Sequence, residues 1–72
     1  MNATQALDSM MKGDIVQDTE YYYTYSLVSE DDKQHLGNNE NIYKCRKCEG
    51  DFISFNNFLN INAEFIIYKD NQ

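Results

Sequence analysis

Two cysteines separated by two residues are the one local pattern with metal chemistry in this 72-residue sequence. At this spacing, Cys45 and Cys48 can bind one tetrahedral Zn²⁺ through both thiolates, at about 2.3 Å, and the nearby Gly50 is typical of a zinc knuckle. Three of the six basic residues lie within residues 44–47. Their positive charge favours the thiolate form that a metal requires. The pattern therefore predicts a zinc site at this segment.

The other zinc ligands must come from elsewhere in the chain or from a second copy, because two thiolates fill only half of a tetrahedral site. His35 is the only histidine and precedes Cys45 by ten residues. A turn at residues 37–39 would fold the chain back and bring His35 and the acidic residues before it towards the thiols. We therefore predict Cys45, Cys48, His35 and Asp32 as the four ligands. The alternatives to Asp32 are Asp31, Glu49 and Asp51.

A disulfide between the cysteines, or two thiols without a role, are the alternatives to zinc. The chain has no βαβ thioredoxin pattern, which disfavours a redox disulfide. It also lacks a Ser/His/Asp order, a glycine-rich phosphate loop and an H-E-x-x-H motif. A catalytic zinc needs an open position within a cleft, which so short a chain can hardly enclose. We expect a structural zinc in a protein that is not an enzyme.

Twelve acidic residues against six basic ones give a net charge of −6. This balance disfavours direct nucleic-acid binding, because contacts of Lys and Arg with phosphates supply most of that affinity. It favours a partner with a basic surface, towards which clustered carboxylates would steer the protein. The alternative is a solvated acidic loop without a partner. The residues predicted to bind the partner are Glu30, Asp31, Glu40, Glu49 and Asp51.

The elements that must position these groups form a small α+β pattern. A first helix, capped by Asn2 or Thr4 and ended by Gly13, carries one apolar stripe. The residues of this stripe are Ala3, Ala6, Leu7, Met10 and Met11. The predicted strands cover residues 15–16, 21–28, 41–46, 52–55 and 63–68, with a further short strand at 34–36, a hairpin turn at Gly50 and a helical turn at 56–59.

These elements predict one domain, residues 1–72, in which the N-terminal helix packs on a four- to five-stranded antiparallel sheet with the zinc knuckle in a hairpin. A chain of this size hides only about 60% of its unfolded surface, so a staple such as zinc is expected. The tyrosines of residues 21–25 suit either core packing or a contact surface. No apolar run approaches the roughly 20 residues of a membrane span. The first residues also lack the features of a signal peptide, which predicts a reducing cytoplasm.

The order of these signals resembles a family of small phage-encoded anti-defence proteins. Its members open with x-x-x-A-L-x-x-M-x-x-G, continue with an aromatic strand and a hairpin, and close with a segment like L-L-A-x-D-W-x-I. The matching positions are Ala6, Leu7, Met10 and Gly13 in the opening, residues 21–23 in the aromatic strand, and residues 58–59 and 63–67 in the close, with Phe65 where Trp is usual.

The family includes proteins that sequester a cyclic nucleotide signal of the Thoeris immune system and anti-CRISPR proteins that act on type II effector nucleases. With its acidity, size and cysteine pair, the chain is most similar to a zinc-containing anti-CRISPR protein. The resemblance implies a phage origin and action in the host bacterial cytoplasm, as a monomer or small homo-oligomer without membrane contact. The expected partner is a type II CRISPR effector nuclease with its guide RNA, whose loading onto DNA the acidic surface would block.

Two other functions stay open. A Thoeris-type protein that sequesters a nucleotide signal requires basic and aromatic residues that converge on one site. The available residues are Lys44, Arg46, Lys47 and the tyrosines of residues 21–25. A zinc-knuckle nucleic-acid binder would depend on the same three basic residues, against the overall negative charge.

Overall fold

The chain folds into a five-stranded antiparallel sheet with the first and third helices packed on one face, which confirms the predicted α+β class. The computed structural model describes residues 1–69. Its elements are α1 (Ala3–Met11), β1 (Val16–Asp18), β2 (Thr24–Leu27), α2 (Glu30–Lys33), β3 (Ile42–Arg46), β4 (Glu49–Ile53), α3 (Phe55–Leu59) and β5 (Phe65–Ile67). The strand order is β4-β3-β2-β1-β5. Among residues 1–69, no helix is long and apolar enough to cross a bilayer.

Local sequence signals fix both ends of α1. The Asn2 side chain accepts a hydrogen bond from the Gln5 amide, and the Gln5 side chain accepts one from the Asn2 amide, each at 2.9 Å. This reciprocal capping box satisfies two amide donors that the first turn leaves free. After the helix, Gly13 has φ of 100°, a left-handed conformation that glycine adopts without steric cost. The predicted cap at Asn2 and stop at Gly13 are both confirmed.

The buried face of α1 differs from the predicted apolar stripe at one position. Ala6 and Met10 are buried as predicted, but Met11 is 57% exposed. Ser9 takes the place next to Met10 on the buried face, and its hydroxyl donates to Asp14 at 2.6 Å. A serine can occupy this face because its hydroxyl has an acceptor there.

Three aromatic rings pack α3 against the sheet. Tyr25 of β2, Phe58 of α3 and Phe65 of β5 are buried, and their ring centroids lie 5.1 to 5.7 Å apart. Edge-to-face and tilted contacts at these distances add to the free energy gained by burying the rings. The predicted helical turn at residues 56–59 is thus confirmed, as α3.

The two faces of the sheet have different environments. We call the face that packs against α1 and α3 the helix face, and the opposite face the open face. Directly paired residues share a face, and successive residues alternate between faces. Among residues 1–69, the buried hydrophobic residues of the strands all lie on the helix face. They are Val16, Tyr25, Ile42 and Phe65. The open face carries Gln17, Thr24, Ser26, Tyr43, Cys45, Gly50, Phe52 and Ile66.

The connection between β2 and β3 does not fold back in the predicted way. It forms the short helix α2 where a loop was expected, and the predicted strand at residues 34–36 is absent from the described chain. The Ser29 hydroxyl caps α2 by accepting from the Asp32 amide at 3.2 Å, and the acidic first turn suits a helix N-terminus. Strand β3 pairs with β2 and β4 instead. Residues 31–35 therefore do not run beside the cysteines.

The hairpin between β3 and β4 turns earlier than predicted. Lys47 and Cys48 have φ of 53° and 65°, and the last strand pair is Arg46 with Glu49. This is a two-residue turn with left-handed residues at both central positions, as in type I′ hairpins. Gly50 lies inside β4 instead of forming the turn. The predicted turn at Gly50 is therefore wrong.

Gly50 has a packing role that explains its lack of a side chain. The Tyr43 ring crosses the open face directly over it, and a Cβ at position 50 would overlap the ring and its hydroxyl. Tyr43 also packs against Phe52, with ring centroids 5.2 Å apart. A glycine in a strand often marks such a close approach.

Candidate functional site

A buried carboxylate organises the loop between β1 and β2. Asp18 is 2% exposed and accepts five hydrogen bonds from this part of the chain. The donors are the amides of Glu20, Tyr21 and Tyr22 to Oδ1, at 3.1, 2.5 and 3.0 Å, and the Tyr23 amide and Tyr25 hydroxyl to Oδ2, both at 3.2 Å. Consecutive amides that surround an anion in this way replace the water that burial removes.

This arrangement holds two large aromatic side chains in solvent. Tyr21 and Tyr22 are 59% and 64% exposed, and Tyr22 has φ of 64°. A non-glycine residue in this region costs of order 1 kcal/mol, which the amide bonds to Asp18 offset. The predicted strand over residues 21–28 forms only from Thr24 to Leu27, because Asp18 takes the amides before it. The backbone of the two exposed tyrosines is thus held by Asp18 and is not a fraying strand end.

The Asp18 loop lies beside the tip of the β3–β4 hairpin, and together they form a cavity of about 480 Å³. We call this cavity the tyrosine cleft. It is lined by Gln17, Tyr21, Tyr22, Thr24, Cys45, Arg46, Lys47 and Tyr68. Of these, Gln17, Thr24 and Cys45 belong to the open face of the sheet. None of these lining residues is a carboxylate, although the chain carries a net charge of −6.

The basic side chains near the cleft are anchored on a third tyrosine. The Arg46 guanidinium lies 4.5 Å from the centroid of the Tyr23 ring, and Lys44 Nζ lies 4.2 Å from it. Such cation–π contacts hold the charges while leaving them solvated. Arg46 Nη1 also donates to the Tyr21 carbonyl at 3.2 Å. Two of the residues predicted to converge on a nucleotide, Arg46 and Lys47, do line one cleft with two tyrosines of the Asp18 loop.

The lining offers three kinds of contact to a ligand. Exposed phenol rings provide faces for stacking, and Arg46 and Lys47 provide cations. Gln17 also lines the cleft as a polar amide, and its Nε2 donates to the Tyr22 carbonyl at 3.3 Å. This combination suits a planar group that carries negative charge.

The four predicted zinc ligands are not brought together within one chain. Asp32 lies in α2 and His35 follows it, in the connection that enters β3 at Ile42. Cys45 and Cys48 lie towards the other end of β3, and Cys45 is about 10 Å along the strand from Ile42. In the part of the chain that the structure describes, no three His, Cys, Asp or Glu side chains group as a metal site. The described structure does not group these four residues, and zinc binding by the four together stays a prediction.

The two cysteines nevertheless lie together at the hairpin tip, as free thiols. The hydrogen bond with the Cys45 thiol, and then the charge of its thiolate, raise the pKa of Tyr43, to which Cys48 adds a smaller effect. Cys45 lies on the open face of the sheet, directly opposite Gly50 in the β3–β4 pair. Zinc binding by Cys45 and Cys48 stays a prediction.

The residues predicted to contact a basic partner fall into two groups. Glu30, Asp31 and Glu40 lie in the connection around α2, where the Glu40 carboxylate accepts from the Gly37 amide at 3.0 Å. Glu49 and Asp51 lie on β4, opposite Arg46 and Lys44 on the helix face. Asp32 contacts a different cavity, shared with Tyr43 and Phe52 of the open face. The structure thus separates the predicted acidic surface into two patches.

Sequence analysis missed Asp18 and Tyr68. Asp18 had a local signal, because an Asp followed by polar residues between two strands is typical of a turn whose side chain bonds the following amides. Tyr68 had none, because it reaches the cleft only through the pairing of β5 with β1.

Comparisons with models of protein families, with curated proteins and with solved structures gave no match to this chain.

Proposed function

We propose that the protein is a non-enzymatic binding protein that sequesters an anionic ligand of the nucleotide type in the tyrosine cleft. The observation that carries this proposal is the Asp18 loop, which holds exposed Tyr21 and Tyr22 beside Arg46 and Lys47. This is the sequestering function that the resemblance to anti-defence proteins implies as an alternative.

The chemistry of the cleft supports a ligand with both a base and a phosphate. Stacking of a base on an aromatic side chain is worth about 1–3 kcal/mol. Arginine pairs with phosphate through two parallel hydrogen bonds, and lysine adds a point charge. Because the rest of the surface is acidic, an anion is attracted chiefly to this cleft, and binding should weaken as salt screens the charges.

The lining favours binding over catalysis. Among the described residues that line the cleft, none is His, Asp or Glu, the side chains that most often act as general bases near neutral pH.

Isothermal titration calorimetry with cyclic ADP-ribose-type signals tests this function. Wild-type protein should bind, and Lys47→Ala should bind about tenfold more weakly, which corresponds to one lost charged contact. Tyr22→Asn should also weaken binding, because Asn keeps the left-handed backbone but removes the ring. Lys12→Ala, an exposed lysine at the end of α1, is the matched control and should bind like wild type. A wild-type protein that gives no binding heat at micromolar concentration would refute the proposal.

A second candidate is the inhibitor of a type II CRISPR effector nuclease, and α2 is the observation that favours it. Glu30, Asp31 and Asp32 are consecutive, exposed and held in one helical turn capped by Ser29. Three carboxylates fixed in this way suit the positively charged channel in which such nucleases hold nucleic acid. The protein would then block the loading of the nuclease onto DNA.

A DNA gel shift with the nuclease–guide complex tests this candidate separately. Excess wild-type protein should abolish the shifted DNA band. The variant Glu30→Gln/Asp31→Asn/Asp32→Asn should restore it, whereas Asp8→Asn/Glu20→Gln, which removes two exposed carboxylates outside the predicted partner surface, is the matched control. DNA binding by the nuclease that persists at excess wild-type protein would refute this second function and leave the proposed ligand binding in the tyrosine cleft unaffected.

A further inference from the structure

The tip of the β3–β4 hairpin presents two thiols in a fixed arrangement. Cys48 is exposed in the two-residue turn, and Cys45 is partly buried on the open face of β3. The pairs Arg46–Glu49 and Cys45–Gly50 close the hairpin directly below the turn. Because this tight turn fixes the backbone on both sides, the backbone positions of Cys45 and Cys48 are set before any metal binds.

One chain supplies only these two ligands at the tip. Asp32 and His35 lie beyond the opposite end of β3, and no group of three potential ligands occurs among residues 1–69. A tetrahedral zinc site closed to solvent needs four. A two-fold axis through the metal would supply the missing pair from an identical hairpin, because a symmetric dimer presents the same surface twice.

We propose that two copies of this chain meet hairpin to hairpin and bind one Zn²⁺ through Cys45 and Cys48 of each copy. The inference concerns a metal site and an assembly. Because Cys45 also lines the tyrosine cleft, zinc is titrated in the absence of nucleotide.

The charge distribution favours contact at this place. Each copy carries a net charge of −6, so two copies repel each other over most of their surfaces. Residues 44–47 hold three of the six basic residues and lie at the hairpin. Four thiolates around one Zn²⁺ carry a net charge of about −2, because thiolate is the form that binds. Arg46 and Lys47 of both copies would neutralise this charge.

Native mass spectrometry and analytical ultracentrifugation of reduced protein titrated with zinc test the proposal. Wild-type protein should become a dimer with one zinc per two chains, and a chelator should return it to monomers. Cys45→Ser and Cys48→Ser should each abolish both the dimer and the zinc. His35→Ala and Asp32→Asn are the matched controls and should retain both.

Cobalt(II) gives an independent readout, because its visible spectrum distinguishes thiolate from oxygen and nitrogen ligands. We expect a four-thiolate spectrum at half a cobalt per chain. A monomer with one zinc per chain, loss of zinc in His35→Ala, a dimer that persists in chelator, or no zinc uptake would each overturn the proposal.

Discussion

Asp18→Asn is the sharpest test of how this fold positions its exposed tyrosines. The substitution keeps the shape of the side chain but replaces a charged acceptor by a neutral amide. The retained Oδ1 can still accept from the amides of Glu20, Tyr21 and Tyr22. The new NH₂ group would face the Tyr23 amide, so that two donors oppose each other.

The cost follows from these contacts. Hydrogen bonds to a charged group contribute about 1.5–3 kcal/mol, against about 0.5–1.5 for neutral pairs, so each of the three retained bonds loses roughly 1 kcal/mol. The Tyr23 amide left without an acceptor adds about 1–3 kcal/mol. A loss of at least about 4 kcal/mol is a large share of the roughly 4–11 kcal/mol expected for a domain of this length.

Urea unfolding followed by circular dichroism measures this loss. With a slope near 1 kcal/mol per M, the midpoint of Asp18→Asn should fall by roughly 4 M, or the variant should be unfolded in buffer. Asp8→Asn, at an exposed position of α1, is the matched control and should change the midpoint little. A midpoint within about 1 M of wild type for Asp18→Asn would show that the carboxylate does not hold the loop.

Three further predictions test the core and the hairpin. Burial raises the pKa of Tyr25, so the unfolded state ionises first. Stability should therefore fall above about pH 10, by up to roughly 1.4 kcal/mol per pH unit, and urea titrations should show less of this fall in Tyr25→Phe. Gly50→Ala should destabilise by about 1–3 kcal/mol because the new methyl group overlaps the Tyr43 ring, and a double-mutant cycle with Tyr43→Ser should remove most of the cost. Lys47→Asn/Cys48→Gly should raise the melting temperature of metal-free protein, since these residues favour the left-handed turn; an unchanged or lower value would contradict the turn assignment.

Features governed by neighbouring residues were predictable from the sequence. The start of α1 at Asn2 and its stop at Gly13 follow from capping and from the φ of glycine, which involve only a few adjacent residues. The strands and the α+β class follow from local composition and periodicity in the same way. The ends of the strands were not predictable in this way. Strand β2 begins only at Thr24, because Asp18 accepts hydrogen bonds from the amides of residues 21–23.

The errors arose where pairing between distant segments decides the outcome. The hairpin turn was placed at Gly50 because glycine is the usual local marker of a turn. The register pairs Tyr43 with Phe52 and Cys45 with Gly50, so the turn falls at residues 47–48, neither of which is glycine. The placement of His35 near the cysteines likewise assumed that the chain before β3 folds back on it, whereas β2 occupies that edge.

The sequence by itself determined the fold class, the acidity and the presence of a cysteine pair among basic residues, because these depend on composition and short-range spacing. Only the tertiary structure decided that Tyr22, Lys47 and Tyr68 surround one cleft while His35 lies apart from the cysteines. The physical reason is that antiparallel pairing joins segments far apart in the chain, and a register is selected by packing of the whole helix face. Local sequence patterns indicate which residues can bind a ligand, and the register of the strands determines which of these residues lie next to each other.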